Sequence, residues 1–178
     1  MKFRTRFLAT ALTLIIGSTS PIIIAQENIS PKAVSPLTIA LSAGVNQFHV
    51  GSPIPVVITL TNTSKSPVNL QIFLVTDGIY RRLGFQFSLM LDGKAVPQTA
   101  FHRNIRGEHL AGDPGVQMAG SLDTYAMAPG LVDNTTIDLR KLFIITQPGS
   151  YLFSVKMPQN GDNKVAIDSS PLRLNVVP

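Results

Sequence analysis

A two-residue alternation of apolar and polar side chains constrains the fold of this chain more than any other feature. In the segment IPVVITL, the residues Ile54, Val56, Ile58 and Leu60 fall on one side. Because successive side chains of a strand point to opposite faces, such a run places one face on a core and the other toward water. Four further runs alternate in the same way: VNLQIFL, GFQFSLML, SYLFSVKM and SPLRLNVV.

Turn signals separate these runs. The segments NTSKSP, DGK, QPGS and QNGDN each combine Gly, Pro, Asn, Asp or Ser. Gly93 in DGK suits a tight hairpin because glycine accepts a positive φ, and the side chains of Asn62 and Ser64 can close a turn in NTS. No helical period continues beyond about two turns. Short strands with frequent turns predict an all-β fold of antiparallel sheets, either a sandwich or a barrel.

Composition agrees with one folded domain. Of the 178 residues, 44% are hydrophobic and 14% are charged, which argues against a disordered chain or a coiled coil. The absence of cysteine excludes disulfides, thiolate metal sites, a cysteine nucleophile and a lipid-modified cysteine. An exported domain of this composition has to be stabilised by its core alone.

The N-terminal segment is typical of a secretory signal peptide. Basic residues at Lys2, Arg4 and Arg6 precede an apolar run. Ala25 suits a cleavage position, because it is small and aliphatic Ile23 stands two residues before it. An uncleaved membrane anchor is the alternative, but GSTSP interrupts the apolar stretch. We expect residues 1–25 to be removed, residues 26–36 to form a flexible lead-in, and residues 37–178 to form the domain. The product would be exported to the periplasm or the extracellular space.

The charge of the mature chain does not indicate a nucleic-acid partner. Without the signal segment, 12 basic residues stand against 10 acidic ones, and a nucleic-acid site needs basic residues gathered on one face. We also expect no membrane insertion after cleavage. The sequence leaves the oligomeric state open.

Residues 98–130 fit the alternating pattern least well. This glycine-rich region reads either as a long loop or as two short edge strands, and long loops within a domain are often functional. Its polar side chains are the candidate binding groups, and we expect them to contact another protein: Arg103, Arg106, His109 and Asp113.

The segment from 148 to 153, PGSYLF, resembles the end of an immunoglobulin-type sandwich. In that architecture a turn leads into a strand, and a tyrosine near the strand start bonds back to the chain, forming a tyrosine corner. Tyr151 matches that tyrosine, and Gly149 would provide the turn. The chain lacks the cysteines and the tryptophan of antibody domains, so the resemblance covers the architecture alone.

The preceding segment, IDLRKLFIITQ, is similar to secreted bacterial immunoglobulin-like modules. The resemblance implies a short helical turn that places Leu139, Leu142 and Phe143 on the open end of the sandwich, with Asp138 as its cap. A further stretch, VGSPIPVVITLTNTSKSPVNLQIF, looks like the start of small β-sandwich proteinase inhibitors. The predicted fold is therefore an antiparallel two-sheet immunoglobulin-like sandwich with a short helical turn before a late strand.

Residues able to carry catalysis form no recognisable motif. His102, Glu108 and His109 are close in sequence, but a metal site needs three or four converging ligands. H-E-x-x-H, G-x-S-x-G and G-x-x-x-x-G-K are all absent. We expect no enzyme activity, no metal and no cofactor.

Three functions remain open from the sequence. The first is a non-catalytic exported module that binds a protein or joins an envelope assembly through its loops. The second is a secreted proteinase inhibitor that presents the loop at 103–114, with arginine in an extended segment. The third is an enzyme that uses His102, Glu108 and His109.

Overall fold

The computed structural model describes residues 34–75, 84–108, 110–113 and 120–178. All of them belong to one folded unit. Strands dominate this part of the chain, and both of its helices are short. The elements are, in order, β1 (Leu37–Ser42), β2 (Gln47–His49), β3 (Pro55–Asn62), β4 (Val68–Val75), β5 (Gln86–Leu91), β6 (Lys94–Ala95), α1 (Ala100–Ile105), β7 (Gly120–Met127), β8 (Val132–Asp138), α2 (Leu139–Leu142), β9 (Gly149–Met157), β10 (Ile167–Asp168) and β11 (Leu172–Val177).

The first sheet has the order β1-β3-β8, with both pairs antiparallel. Its inward residues are the ones that the alternating pattern selects: Val56, Ile58 and Leu60 of β3 are at most 2% exposed. Their partners across the sheet include Leu41 opposite Ile58 and Ile137 opposite Val56. The opposite face carries mainly small, uncharged side chains.

The second sheet has the order β2-β11-β9-β5-β6, and β10 pairs with β9. Its ladders are antiparallel except that β2 runs parallel to β11. This parallel edge pair departs from the purely antiparallel expectation. It arises because β2 lies in the long connection from β1 to β3, which crosses from one sheet to the other.

The inward faces of the two sheets form one hydrophobic core. The second sheet supplies Phe87 and Leu89 from β5 and Phe153 and Val155 from β9, and Phe153 is fully buried. Complete burial of such a side chain stabilises the fold by about 1.5–3 kcal/mol. The all-β sandwich predicted from the sequence is confirmed.

Beyond Asn62, the last residue of β3, the chain continues into a separate two-stranded ribbon of β4 and β7. The side chain of Asn62 is fully buried and donates to the carbonyls of Ser66 and Met127, at 3.0 and 2.8 Å. Its Oδ1 accepts from both the backbone and the hydroxyl of Ser64, which is the predicted side-chain turn. The Asn-x-Ser motif is therefore structural, because a buried amide is closed to a modifying enzyme.

Local turn chemistry follows the sequence at the β5–β6 hairpin. Asp92 and Gly93 have φ values of 50° and 75°, and Leu91 pairs with Lys94. A two-residue loop with positive φ at both positions matches the right-handed twist of the strands.

The 98–130 region differs from both expectations. The described part contains a helix, α1, as well as one strand, β7. The helix was missed because six residues are too few to show a helical period. Residue 109 and residues 114–119 lie outside the described residues.

The predicted signal peptide lies outside the described residues, as does most of the lead-in. The last two lead-in residues are held by hydrogen bonds: Ser35 donates to Asn163, and Pro36 accepts from the backbone and the hydroxyl of Thr63. Across the described residues, the helices are too short to cross a membrane.

Candidate binding groove

Tyr151 has the geometry of a tyrosine corner. The side chain is 2% exposed, and its hydroxyl donates to the carbonyl of Gln147 at 2.6 Å. Burial raises the pKa of the Tyr151 phenol, the Gln147 hydrogen bond opposes that rise, and the charge of Asp92 adds to it. Gly149, which opens β9, has φ 155°, and a Cβ there would lie 2.5 Å from a methyl carbon of Leu91.

The single turn α2 closes one end of the sandwich. Asp138 Oδ1 accepts from the backbone N–H groups of Ile54 and Arg140, at 3.0 and 3.1 Å. One carboxylate therefore caps α2 and ties it to the start of β3. The side chains that the helix and its last residue place in the core are Leu139, Leu142 and Phe143, all at most 3% exposed.

Two capping motifs define the short helix α1. The Thr99 hydroxyl accepts from the N–H of His102 at 3.1 Å, which is an N-cap. At the other end, Gly107 takes φ 72° and donates to the Asn104 carbonyl, while Glu108 donates to the Arg103 carbonyl. This pair of bonds is a Schellman motif. The chain therefore leaves α1 in a fixed direction.

Arg103 and Asp113 bind each other. Arg103 Nε and Nη2 donate to the two carboxylate oxygens of Asp113 at 2.9 and 2.5 Å, and Nη1 donates to the Gln98 carbonyl at 2.7 Å. The Asp113 hydrogen bonds raise the pKa of the guanidinium. These two candidate binding residues are thus part of the support of α1. The prediction of an extended segment at 103–114 is wrong for residues 103–105, which are helical.

His102 is fully buried between aromatic rings. Its ring centroid lies 5.1 Å from Phe143 and 5.9 Å from Phe87. Neither ring nitrogen has a hydrogen-bond partner among the described residues. Burial lowers the pKa of His102 and the Arg106 charge lowers it further; these effects outweigh the nearby Leu142 carbonyl and Glu108, which favour the protonated form. His102 is therefore a neutral core residue in this fold.

A groove of about 450 Å³ lies on the outward face of the second sheet. Its lining includes Phe87, Val155 and Pro171 together with polar side chains that lie in register across the strands. Gln86, Lys156 and Asp168 form one rank across β5, β9 and β10, and Ser88 and Ser154 form the next rank. Successive outward positions on a strand are about 6.6–6.8 Å apart, and neighbouring strands about 4.8 Å apart. The groove thus presents an ordered set of hydrogen-bonding groups on a paired sheet.

Arg106 lines the same groove and comes from the end of α1. Its Nε donates to the Glu108 carboxylate at 2.9 Å, and both side chains are partly exposed. Of the four polar residues proposed from the sequence for binding, Arg106 lies in the groove. Arg103 and Asp113 support the helix that carries it, and His109 lies outside the described residues.

The residues of the proposed enzyme site do not form an accessible constellation in the described part of the chain. His102 is enclosed by Phe87 and Phe143, whereas Glu108 is half-exposed and paired with Arg106. Within the described residues, no three acidic, histidine or cysteine side chains are grouped as a metal site would require.

Sequence reasoning did not identify the groove, although it placed the groove residues of β5 and β9 on the correct faces. The alternation put Gln86 and Ser88 on the water side of β5, and Ser154 and Lys156 on the water side of β9. The local pattern does not show that β5 pairs with β9. This pairing joins Gln86 to Lys156, which are 70 positions apart in the chain. The Arg-Gly pair at 106–107 is the one local signal that marks the end of α1.

Comparisons with known proteins do not identify a family. No protein family and no curated protein matches the chain.

Some solved structures are distantly similar. A CARDB domain from Pyrococcus furiosus aligns with 80% of this chain and 95% of its own length, at 11% identity and a TM-score of 0.37. A β-glucosidase from Listeria innocua aligns with 84% of this chain at 12% identity and a TM-score of 0.40, and one from Erythrobacter marinus with 80% at 11% and 0.39. This chain spans 17% and 16% of the lengths of those enzymes. With TM-scores below 0.5, these similarities carry no argument about function.

Proposed function

We propose that this protein is an exported, non-catalytic module that binds an extended segment of a partner protein in the groove on β5, β9 and β10. The observation that carries the proposal is the groove itself. It is a depression into which polar side chains project in register, and it lies over β5 and β9, two interior strands of the second sheet. Binding sites are typically concave and largely pre-formed.

The spacing of the groove residues suits an extended peptide. A peptide strand lying along β5 and β9 repeats its side-chain directions every two residues, or about 6.6–6.8 Å. The ranks Gln86–Lys156 and Ser88–Ser154 have the same repeat. Serine hydroxyls and the glutamine amide donate and accept hydrogen bonds, so they can serve both the backbone and the polar side chains of a bound segment.

The non-catalytic part of the proposal rests on the sequence and on His102. The chain has neither a G-x-S-x-G elbow nor an H-E-x-x-H helix. His102 is closed to solvent by two phenylalanine rings, so it has no route to a substrate in this fold. The proteinase-inhibitor alternative loses its main support because Arg103 belongs to a helix and is paired with Asp113.

Export rests on the predicted signal segment at residues 1–25. The proposal expects the mature chain to begin near Gln26, after cleavage at Ala25. N-terminal sequencing of the product recovered outside the cytoplasm tests this, and an intact Met1 on that product would overturn it.

Selection from a random peptide library tests the binding function. The purified chain is used as bait, and Ser88→Trp, which places an indole in the groove, is used for counter-selection. Ser88 is exposed on the outward face, so this variant should fold, and its melting temperature verifies that. Thr59→Trp, on the outward face of the first sheet, is the matched control. We expect enriched peptides to bind wild type and Thr59→Trp alike and to lose at least tenfold in affinity for Ser88→Trp. Peptides that bind all three proteins equally, or no enrichment at all, would overturn the proposal.

A further inference from the structure

We infer that the groove selects a segment that carries an acidic side chain, and that Arg106 and Lys156 bind its carboxylate. This inference rests on the proposed function, since it names the chemistry of the segment that the groove would hold. Arg106 and Lys156 both line the groove and are its two cationic groups. They come from different parts of the chain, α1 and β9, so the fold is what brings them together.

Lys156 provides the first cation. It is exposed on the outward face of β9, in register with Gln86 on one side and Asp168 on the other. The described residues form ion pairs between Arg103 and Asp113 and between Arg106 and Glu108, and Lys156 takes part in neither. Its ammonium group has three donors and no acceptor, so it favours an acceptor with negative charge.

Arg106 provides the second cation and the geometric preference. A guanidinium has five N–H donors in a planar fork that matches a carboxylate in a bidentate pair. The Glu108 contact engages Nε. Glu108 is half-exposed, and its contact with Arg106 is the kind of surface pair that contributes little to stability. A carboxylate from a bound segment can therefore compete with Glu108 at modest cost.

Asp168 should affect the affinity for an acidic segment in the opposite direction from the two cations. It lies on β10, in register with Lys156 and on the side away from Gln86. An acidic ligand beside Lys156 is repelled by the Asp168 carboxylate, because like charges nearby disfavour each other. Removal of this charge should therefore strengthen the binding of an acidic segment, whereas removal of either cation should weaken it. A structural role for these residues would not produce opposite effects on affinity.

Defined peptides test the inference. The probes are acetylated octapeptides of alternating Ser and Glu, Ser and Gln, or Ser and Lys, with inorganic phosphate as a competitor. Affinity is measured by calorimetry at low salt, and the site is located by amide shifts of β5 and β9. We expect the Ser–Glu peptide to bind at least tenfold more tightly than the Ser–Gln peptide. Arg106→Gln and Lys156→Gln should each weaken it roughly tenfold, as loss of a charge-assisted hydrogen bond does.

One control removes a charge outside the groove, and a second variant neutralises the acidic side chain of Asp168 inside it. Lys65→Gln, in the turn between β3 and β4, should leave the affinity unchanged, and Asp168→Asn should raise it severalfold. Equal binding of the Glu and Gln peptides, or weaker binding by Asp168→Asn, would overturn the inference. Displacement by equimolar phosphate would also overturn it, since the groove would then accept any anion.

The two proposals fail in different ways. If the Ser–Gln peptide binds the groove as tightly as the Ser–Glu peptide, the selectivity is wrong and the binding function stands. If no library peptide depends on an open groove at Ser88, the binding function itself is wrong.

Discussion

At the scale of single residues, Tyr151 links the late strand to the turn before it. Its ring fills the core and its hydroxyl satisfies the Gln147 carbonyl. The two contributions can be separated by two substitutions, one that removes the hydroxyl and one that removes the ring.

Tyr151→Phe should lower the free energy of unfolding by about 0.5–1.5 kcal/mol, the net contribution of one hydrogen bond. Tyr151→Ala should lower it by about 3–5 kcal/mol, because it also opens a cavity. Leu152→Ala is the matched control, because the side chain of Leu152, the next residue along β9, points outward and is 37% exposed. Urea denaturation of the three variants measures these differences. A Tyr151→Ala variant no less stable than Leu152→Ala would mean that the ring is not in the core.

His102 should make the fold sensitive to acid. Burial lowers the pKa of His102 in the folded state, so the unfolded chain binds more protons between that pKa and the ordinary value of about 6.5. The free energy of unfolding therefore falls as the pH drops below about 6.5. His102→Phe, which keeps an aromatic ring between Phe87 and Phe143, should lose part of this dependence.

The measurement compares urea midpoints at pH 7.5 and 5.5. Wild type and His49→Gln, a substitution at an exposed histidine of β2, should lose more stability over this range than His102→Phe loses. An equal loss in all three proteins would assign the pH dependence to other groups.

At the scale of elements, the loop after β9 covers the edge of β4 with side chains in place of a strand. Asn160 Oδ1 accepts from the Gln71 N–H at 2.7 Å, and Asp162 Oδ2 accepts from the Asn69 N–H at 3.1 Å. Between them, Gly161 has φ 53°, and a Cβ there would lie 2.1 Å from the Asn69 carbonyl oxygen. Glycine is required here by close approach as well as by backbone conformation.

Gly161→Ala should therefore cost more stability than an alanine at a positive-φ glycine with open space around it. Gly51 has φ 88° and no heavy atom within 4 Å of an added Cβ, so Gly51→Ala reports the conformational cost alone, about 1 kcal/mol. We expect Gly161→Ala to cost about 1–3 kcal/mol more, which is in the range of local strain, and to speed hydrogen exchange at the amides of Asn69 and Gln71. Equal costs for the two variants would show that the loop does not pack closely on β4.

The elements also show what the sequence could predict. Alternation identified the inward face of β3, β5, β9 and β11, and Gly93 identified the hairpin, because each signal is local. The sequence does not reveal helix α1, because its only local signals are an N-cap residue, Thr99, and a C-terminal glycine, Gly107. Many loops contain the same two residue types. The sequence makes Arg103 and Asp113 separate candidate binding groups, because their pairing is recognised only once the chain folds back.

At the scale of the whole molecule, the groove depends on strand pairing that no local pattern contains. The groove forms because β5 and β9 are neighbours in the second sheet and because α1 carries Arg106 to their outward face. The sequence predicts which side chains leave the core, whereas the topology decides which of them meet. For this reason the fold class was predictable and the groove was not.

Site-specific photo-crosslinking in the cell that produces the chain tests the central claim most directly. A photoreactive amino acid is placed at Gln86, in the groove, or at Thr59, on the outward face of the opposite sheet. If the groove binds a partner protein, the probe at Gln86 gives a discrete adduct of higher mass, the probe at Thr59 gives none, and Ser88→Trp abolishes the adduct. Identical adducts from both positions, or an adduct from Thr59 alone, would contradict the account.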